Sequence, residues 1–140
     1  MVVMSDDPNT QHALNTGRTF VWHELYVKDP AGAIKFYSEC LGFGHQEMDM
    51  GEMGSYPMLT MNGHGVAGIM DTTKLENSEH IPPHWAVYLA VDDVDARVAR
   101  CIGQGASVVV PAMDVPGVGR MCLIADPFGA HIWLYTPAAM

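Results

Sequence analysis

The feature that most constrains this chain is a repeat. Glu24-Leu-Tyr-Val-Lys-Asp-Pro reads as a strand running into an Asp-started helix, and Val87-Tyr-Leu-Ala-Val-Asp-Asp-Val-Asp repeats the event sixty-odd residues later. Each copy continues into an amphipathic segment, a glycine turn and further strand-like runs. Two copies are too few for a solenoid, whose units need several neighbours to bury their faces. The repeat predicts an α+β fold of two βαβββ modules, about 20–70 and 84–137, with a linker at 71–83. Their sheets are expected to form a half-barrel or barrel around a central cavity.

The local signals support each element. Phe20 to Val27 alternates, with Trp22, Glu24 and Tyr26 on one face and Val21, His23, Leu25 and Val27 on the other. Asp29-Pro30 supplies an N-cap and a first-turn proline. Ala33, Phe36, Tyr37, Cys40 and Leu41 recur at three-and-four spacing as a buried stripe, and Gly42 ends the helix. Phe43 to Met53 and Tyr56 to Met61 suit strands, and Asn62-Gly63 is a hairpin signal leading to a strand at Val66 to Met70. In the second copy, Asp92 or Asp93 caps a helix whose stripe includes Val94, Val98, Cys101 and Ile102. Gly103 and Gly105 end it. Strands follow at Ala106 to Pro111, Arg120 to Ala125 and Ala130 to Thr136, the last placing His131, Trp133 and Tyr135 on one face.

Composition excludes several function classes. The 140-residue chain is long enough for one domain with a core. Its net charge of −9, with seven Lys plus Arg, lacks the clustered cations that phosphate backbones and anionic membranes require. No apolar run approaches the roughly 18–20 residues of a membrane span. Residues 1–19 are polar, lack a signal-peptide pattern and read as a flexible tail. Cys40, Cys101 and Cys122 are odd in number and widely spaced, and read as reduced thiols in a cytoplasmic core.

Two longer motifs carry a family resemblance. Asp29-Pro-Ala-Gly-Ala-Ile-Lys-Phe-Tyr-Ser-Glu-Cys-Leu-Gly-Phe resembles a helix of the vicinal oxygen chelate superfamily, which holds glyoxalase I, bleomycin-resistance proteins and extradiol dioxygenases. Val118 to Tyr135, through Asp126-Pro-Phe-Gly129, resembles its closing hairpin. Trp22-His-Glu-Leu25 is similar to its single-domain, glyoxalase-like branch. The resemblance implies the glyoxalase/bleomycin-resistance fold, a homodimer and, in metal-using members, a divalent cation that polarises substrate oxygens. It places the four metal ligands at Trp22, at Ala86, within 57–61 and at Trp133. None of these positions offers imidazole or carboxylate, so glyoxalase I chemistry itself is not expected and no cofactor is predicted. A shifted alternative remains: Glu24, His84 and His131 as a two-His-one-carboxylate site for Fe, Zn, Ni or Mn.

Aromatic side chains stand where ligands would. Trp22, Tyr26, Tyr88, Trp133 and Tyr135, with Glu24, His84 and His131, form the expected ligand-binding set, suited to an aromatic or amphipathic small molecule. The same rings also suit plain interior filling of a small barrel. Glu24 is the candidate general base; hydrogen-bonding to Tyr88 or a backbone amide is its structural alternative. His23 faces the other way and reads as structural, while His45, His64 and His80 read as solvated. Two readings follow: a small-molecule binder without the usual metal, and an enzyme (lyase, isomerase or dioxygenase) using a shifted metal or Glu24.

Overall fold

The computed structural model of the chain describes residues 19–138. The strands are β1 (Thr19–Val27), β2 (Gly44–Asp49), β3 (Ser55–Met61), β4 (His64–Asp71), β5 (His84–Ala90), β6 (Ser107–Val115), β7 (Gly119–Ala125) and β8 (His131–Pro137). The helices are α1 (Pro30–Leu41) and α2 (Val94–Gly103). The protein is therefore α+β, with the βαβββ order occurring twice. The tail expected for 1–19 lies outside the described residues except for Thr19, which begins β1. The chain divides into two compact units: residues 22–86, and residues 87–138 joined by residues 19–21.

In the first unit the strand order is β2-β3-β4-β1. Asp29 starts α1: its carboxylate accepts from the Gly32 N–H at 3.0 Å, and Pro30 occupies the first turn. Gly42 ends it at φ +80°, and its N–H donates to Ser38 at 3.1 Å. Asn62 and Gly63, both at positive φ, make the tight turn between β3 and β4. One face of the sheet buries Leu25, Leu59 and Ile69 against Ala33, Ile34 and Tyr37 of α1.

The stripe expected on α1 is corrected by this packing. Phe36 is 54% and Leu41 57% exposed, and Cys40 is exposed as well. Ala33 and Tyr37 pack as expected, but Ile34 joins them in place of Phe36, Cys40 and Leu41. A second correction concerns the strand expected over Phe43 to Met53: β2 ends at Asp49, and a 3-10 turn covers Gly51–Met53. The polar linker holds two further 3-10 turns, Thr72–Lys74 and Ser78–His80.

The second unit repeats the plan as β5-β8-β7-β6. Asp93 caps α2 by accepting from the Ala96 N–H at 3.1 Å. Val94 and Val98 pack with Val91, Cys122, Ile124 and Leu134, while Cys101 is half-buried and Ile102 is exposed. Of the three cysteines, only Cys122 is fully a core residue. β6 extends past Pro111 to Val115, longer than expected. It lies at the end of its row, where a proline removes no needed ladder bond, and its pairing with β7 shifts register twice.

Candidate functional site

The face of the first unit opposite α1 carries Trp22, Glu24 and Tyr26. All three are buried, Trp22 at 1% and Glu24 at 3% exposure. Strand alternation puts them there, because Leu25 between them is committed to the helix side. A charged side chain at that depth requires partners. The structure supplies one from β3: the Tyr56 hydroxyl donates to Glu24 Oε2 at 2.5 Å. The Trp22 indole N–H donates in turn to the Tyr56 oxygen at 3.1 Å.

The backbone explains how Tyr56 reaches Glu24 across an intervening strand. Met58, Gly68 and Glu24 stand side by side on β3, β4 and β1. Tyr56 shares the face of Met58, two residues away, and its ring lies over Gly68. A Cβ on residue 68 would fall on the phenol. Burial raises the Tyr56 phenol far above its ordinary pKa; the charge of Glu24 and the hydrogen bond to it add to the rise. Tyr56 is therefore a fixed donor at neutral pH.

Sequence reasoning missed Tyr56. The resemblance places a metal ligand within 57–61 and gives no role to the residue just before that stretch. A signal was present in Gly68, a glycine inside a strand, which often marks close approach of another group.

His84, at the start of β5, is exposed. Its ring stacks on Tyr26 with centroids 4.7 Å apart and planes 10° from parallel. Its Nδ1 lies 2.7 Å from the Pro82 carbonyl oxygen, which only accepts, so Nδ1 carries the proton. Next to it, the Trp85 indole N–H donates to the Tyr37 hydroxyl at 3.1 Å, tying the strand start to α1.

In the second unit, Tyr88 and Trp133 are cross-strand partners whose rings stack at 5.3 Å and 9°. Tyr135 is buried, and its hydroxyl donates to the Val118 carbonyl at 2.9 Å; burial pushes its phenol up to about 12. His131 is exposed at the start of β8. The same unit has a cleft of about 470 Å³ lined by Asp92, Asp93, Asp114, Gly117 and Arg120, among others. Arg120 is held there by Asp95 and Asp114, each at 3.1 Å, as a surface ion-pair network. His23 is exposed rather than packed as a structural residue, and His45, His64 and His80 are exposed as expected.

The residues at the family's metal positions do not fit a metal. The Trp22 indole is a donor committed to Tyr56, Ala86 has no ligating atom, and Trp133 stacks on Tyr88. The strand 57–61 adds no imidazole or carboxylate. Among the described residues, no group of three or more His, Cys, Asp or Glu side chains could hold a metal ion. Of the shifted set, Glu24 is buried and accepts from Tyr56, while His84 and His131 are exposed at the starts of β5 and β8.

The arrangement can be set beside known proteins. CFP32 of Mycobacterium bovis, provisionally named a glyoxylase, is 40% identical over 115 residues, which cover 81% of this chain and 44% of CFP32. The anthracycline biosynthesis protein DnrV of Streptomyces peucetius is 32% identical over 129 residues, 85% of this chain and 47% of DnrV. The chain thus spans about half the length of these curated relatives. Among solved structures, methylmalonyl-CoA epimerase from Mycobacterium tuberculosis superposes with a TM-score of 0.56 at 25% identity, covering 89% of each chain. Residues 19–134, nearly the whole of both βαβββ units, match one family, and the chain belongs to the Glyoxalase/Bleomycin resistance protein/Dioxygenase superfamily.

Proposed function

We propose that the protein binds a small, planar organic molecule on the aromatic face of residues 22–86. Glu24 accepts a proton or hydrogen bond from that molecule, without a metal at the family's usual positions. The observation that carries this reading is a carboxylate at 3% exposure among Trp22, Tyr26 and Tyr56. A carboxylate so placed is costly for stability alone, and apolar pockets with a few fixed polar groups are the usual form of small-molecule sites. The His84 imidazole lying flat on Tyr26 supports a planar ligand, since that ring already accepts a flat partner. The name of DnrV links one relative to anthracycline biosynthesis.

A second reading makes Glu24 a general base. It would remove a proton from a carbon next to a carbonyl, leaving the electron pair on an enolate. The likeness to a methylmalonyl-CoA epimerase supports chemistry of this kind.

The test is a panel of planar aromatic compounds and α-substituted carbonyl compounds, followed by calorimetry and by proton NMR in D2O. Micromolar binding that survives EDTA and falls at least about tenfold in Glu24→Gln supports the binding reading. Deuterium uptake at the acidic carbon, abolished by Glu24→Gln, supports the base reading. Binding unaffected by Glu24→Gln would overturn both.

The protein is proposed to act as a homodimer in the cytoplasm. The superfamily resemblance supports pairing, and the three free thiols suit a reducing compartment. Among the described residues no helix is long and apolar enough to cross a membrane. Sedimentation at micromolar concentration tests the dimer, and a monomer there would end that proposal.

A further inference from the structure

We infer that Tyr56 is the positioning residue for Glu24, oriented by Trp22 and admitted by the absence of a side chain at Gly68. The direction of the two hydrogen bonds follows from chemistry. An indole N–H can only donate, so the Tyr56 oxygen accepts from Trp22. Tyr56 has one hydroxyl proton, and it points to Glu24 Oε2, 2.5 Å away. The relay is therefore polarised from Trp22 through Tyr56 to Glu24, and the carboxylate is its terminal acceptor.

The repeat shows how the two units differ at this rung. Glu24 stands five residues before the cap Asp29, and Tyr88 stands five before the cap Asp93. Glu24 pairs with Gly68, and Tyr88 pairs with Trp133. In the second unit the space over that rung is filled by the Trp133 ring itself. In the first unit the partner is glycine, and the ring arrives from the next strand as Tyr56, bringing a hydroxyl with it. Two exchanges distinguish the rungs, glutamate for tyrosine and glycine for tryptophan, and together they place a carboxylate under an incoming phenol.

The consequence is orientation. A glutamate has three rotatable side-chain bonds, so a hydrogen bond at its carboxylate narrows the orientations that the group takes. The charge-assisted hydrogen bond from Tyr56 holds Oε2 in one place and so positions the group. The role of that fixed carboxylate toward a ligand rests on the proposed function above; the hydrogen-bond relay itself is a property of the free protein.

The test uses the full chain without ligand. Tyr56→Phe keeps the ring and removes only the hydroxyl, while Gly68→Ala keeps the hydroxyl and displaces the ring. The Trp22 indole N–H is followed by 15N NMR, and the Glu24 carboxyl carbon by 13C NMR at pH 7, assigned with Glu24→Gln. Both signals are expected to move in Tyr56→Phe, and the Trp22 N–H is expected to exchange with solvent at least tenfold faster. Gly68→Ala should reproduce both changes although Tyr56 is still present. If Gly68→Ala does not fold, Tyr56→Phe decides alone. A Tyr56→Phe protein with native near-ultraviolet circular dichroism and unmoved Trp22 and Glu24 signals would overturn the inference. Failure of the ligand panel would instead end the proposed function and leave this relay standing.

Discussion

Gly68 lies directly beneath the phenol of Tyr56, so that a single added methyl group would occupy the place of the hydroxyl. The alanine cannot be accommodated by a small rotamer change, because the ring is held at its tip by Trp22 and Glu24. Gly68→Ala is expected to destabilise the protein by about 1–3 kcal/mol, the usual range for overpacking. Urea denaturation followed by tryptophan fluorescence measures it. A midpoint equal to that of the wild type would show that the ring is not confined.

Tyr135 gives an alkaline signature. Its phenol is raised from 10.0 to about 12 because burial disfavours the phenolate. The folded state then holds this proton more tightly than the unfolded chain. The stabilisation is complete below pH 10 and is lost progressively as pH rises from about 10 to about 12. Tyr135→Phe should remove this part of the alkaline slope, and loss of the bond to Val118 should cost about 1 kcal/mol at neutral pH. Unfolding midpoints between pH 8 and 12 provide the check.

Asp92 gives the acidic counterpart. It is held at about 2, first by its hydrogen bonds from Arg97 and then by the charge of that side chain. A carboxylate with a depressed folded-state pKa contributes above about pH 4, and the contribution is lost as pH falls toward about 2. Arg97→Gln should return Asp92 toward 3.8 and make acid unfolding less steep in that window. Carboxyl NMR titration would detect the change; an unchanged Asp92 midpoint would refute it.

The cap of α1 predicts a local effect. Asp29→Ala removes the acceptor for the Gly32 N–H and is expected to cost about 1 kcal/mol. Amide exchange should quicken first at residues 31–33. Asp29→Ser should restore most of the loss, because a hydroxyl oxygen can fill the same role.

Much of this architecture was legible because it depends on neighbours in sequence. Asp29, Asp93 and Gly42 act through bonds to residues three to five positions away, and Asn62-Gly63 supplies the positive φ of its turn. The α1 stripe was less legible. A three-and-four pattern fits overlapping faces that share Ala33 and Tyr37, and the positions of Leu25, Leu59 and Ile69 decide that Ile34 rather than Phe36 completes the packed one. The extension of β6 past Pro111 depended in the same way on its place at the end of a row.

Sequence alone settles the duplicated βαβββ order and the alternation that turns Trp22, Glu24 and Tyr26 to one face. Those properties follow from residue type and short-range periodicity. The tertiary structure decided what Glu24 meets. Its partner Tyr56 is 32 residues away, and the pairing depends on the register that sets Met58, Gly68 and Glu24 in one row. Register is a property of three strands together, and a shift of one residue would turn Tyr56 to the helix side.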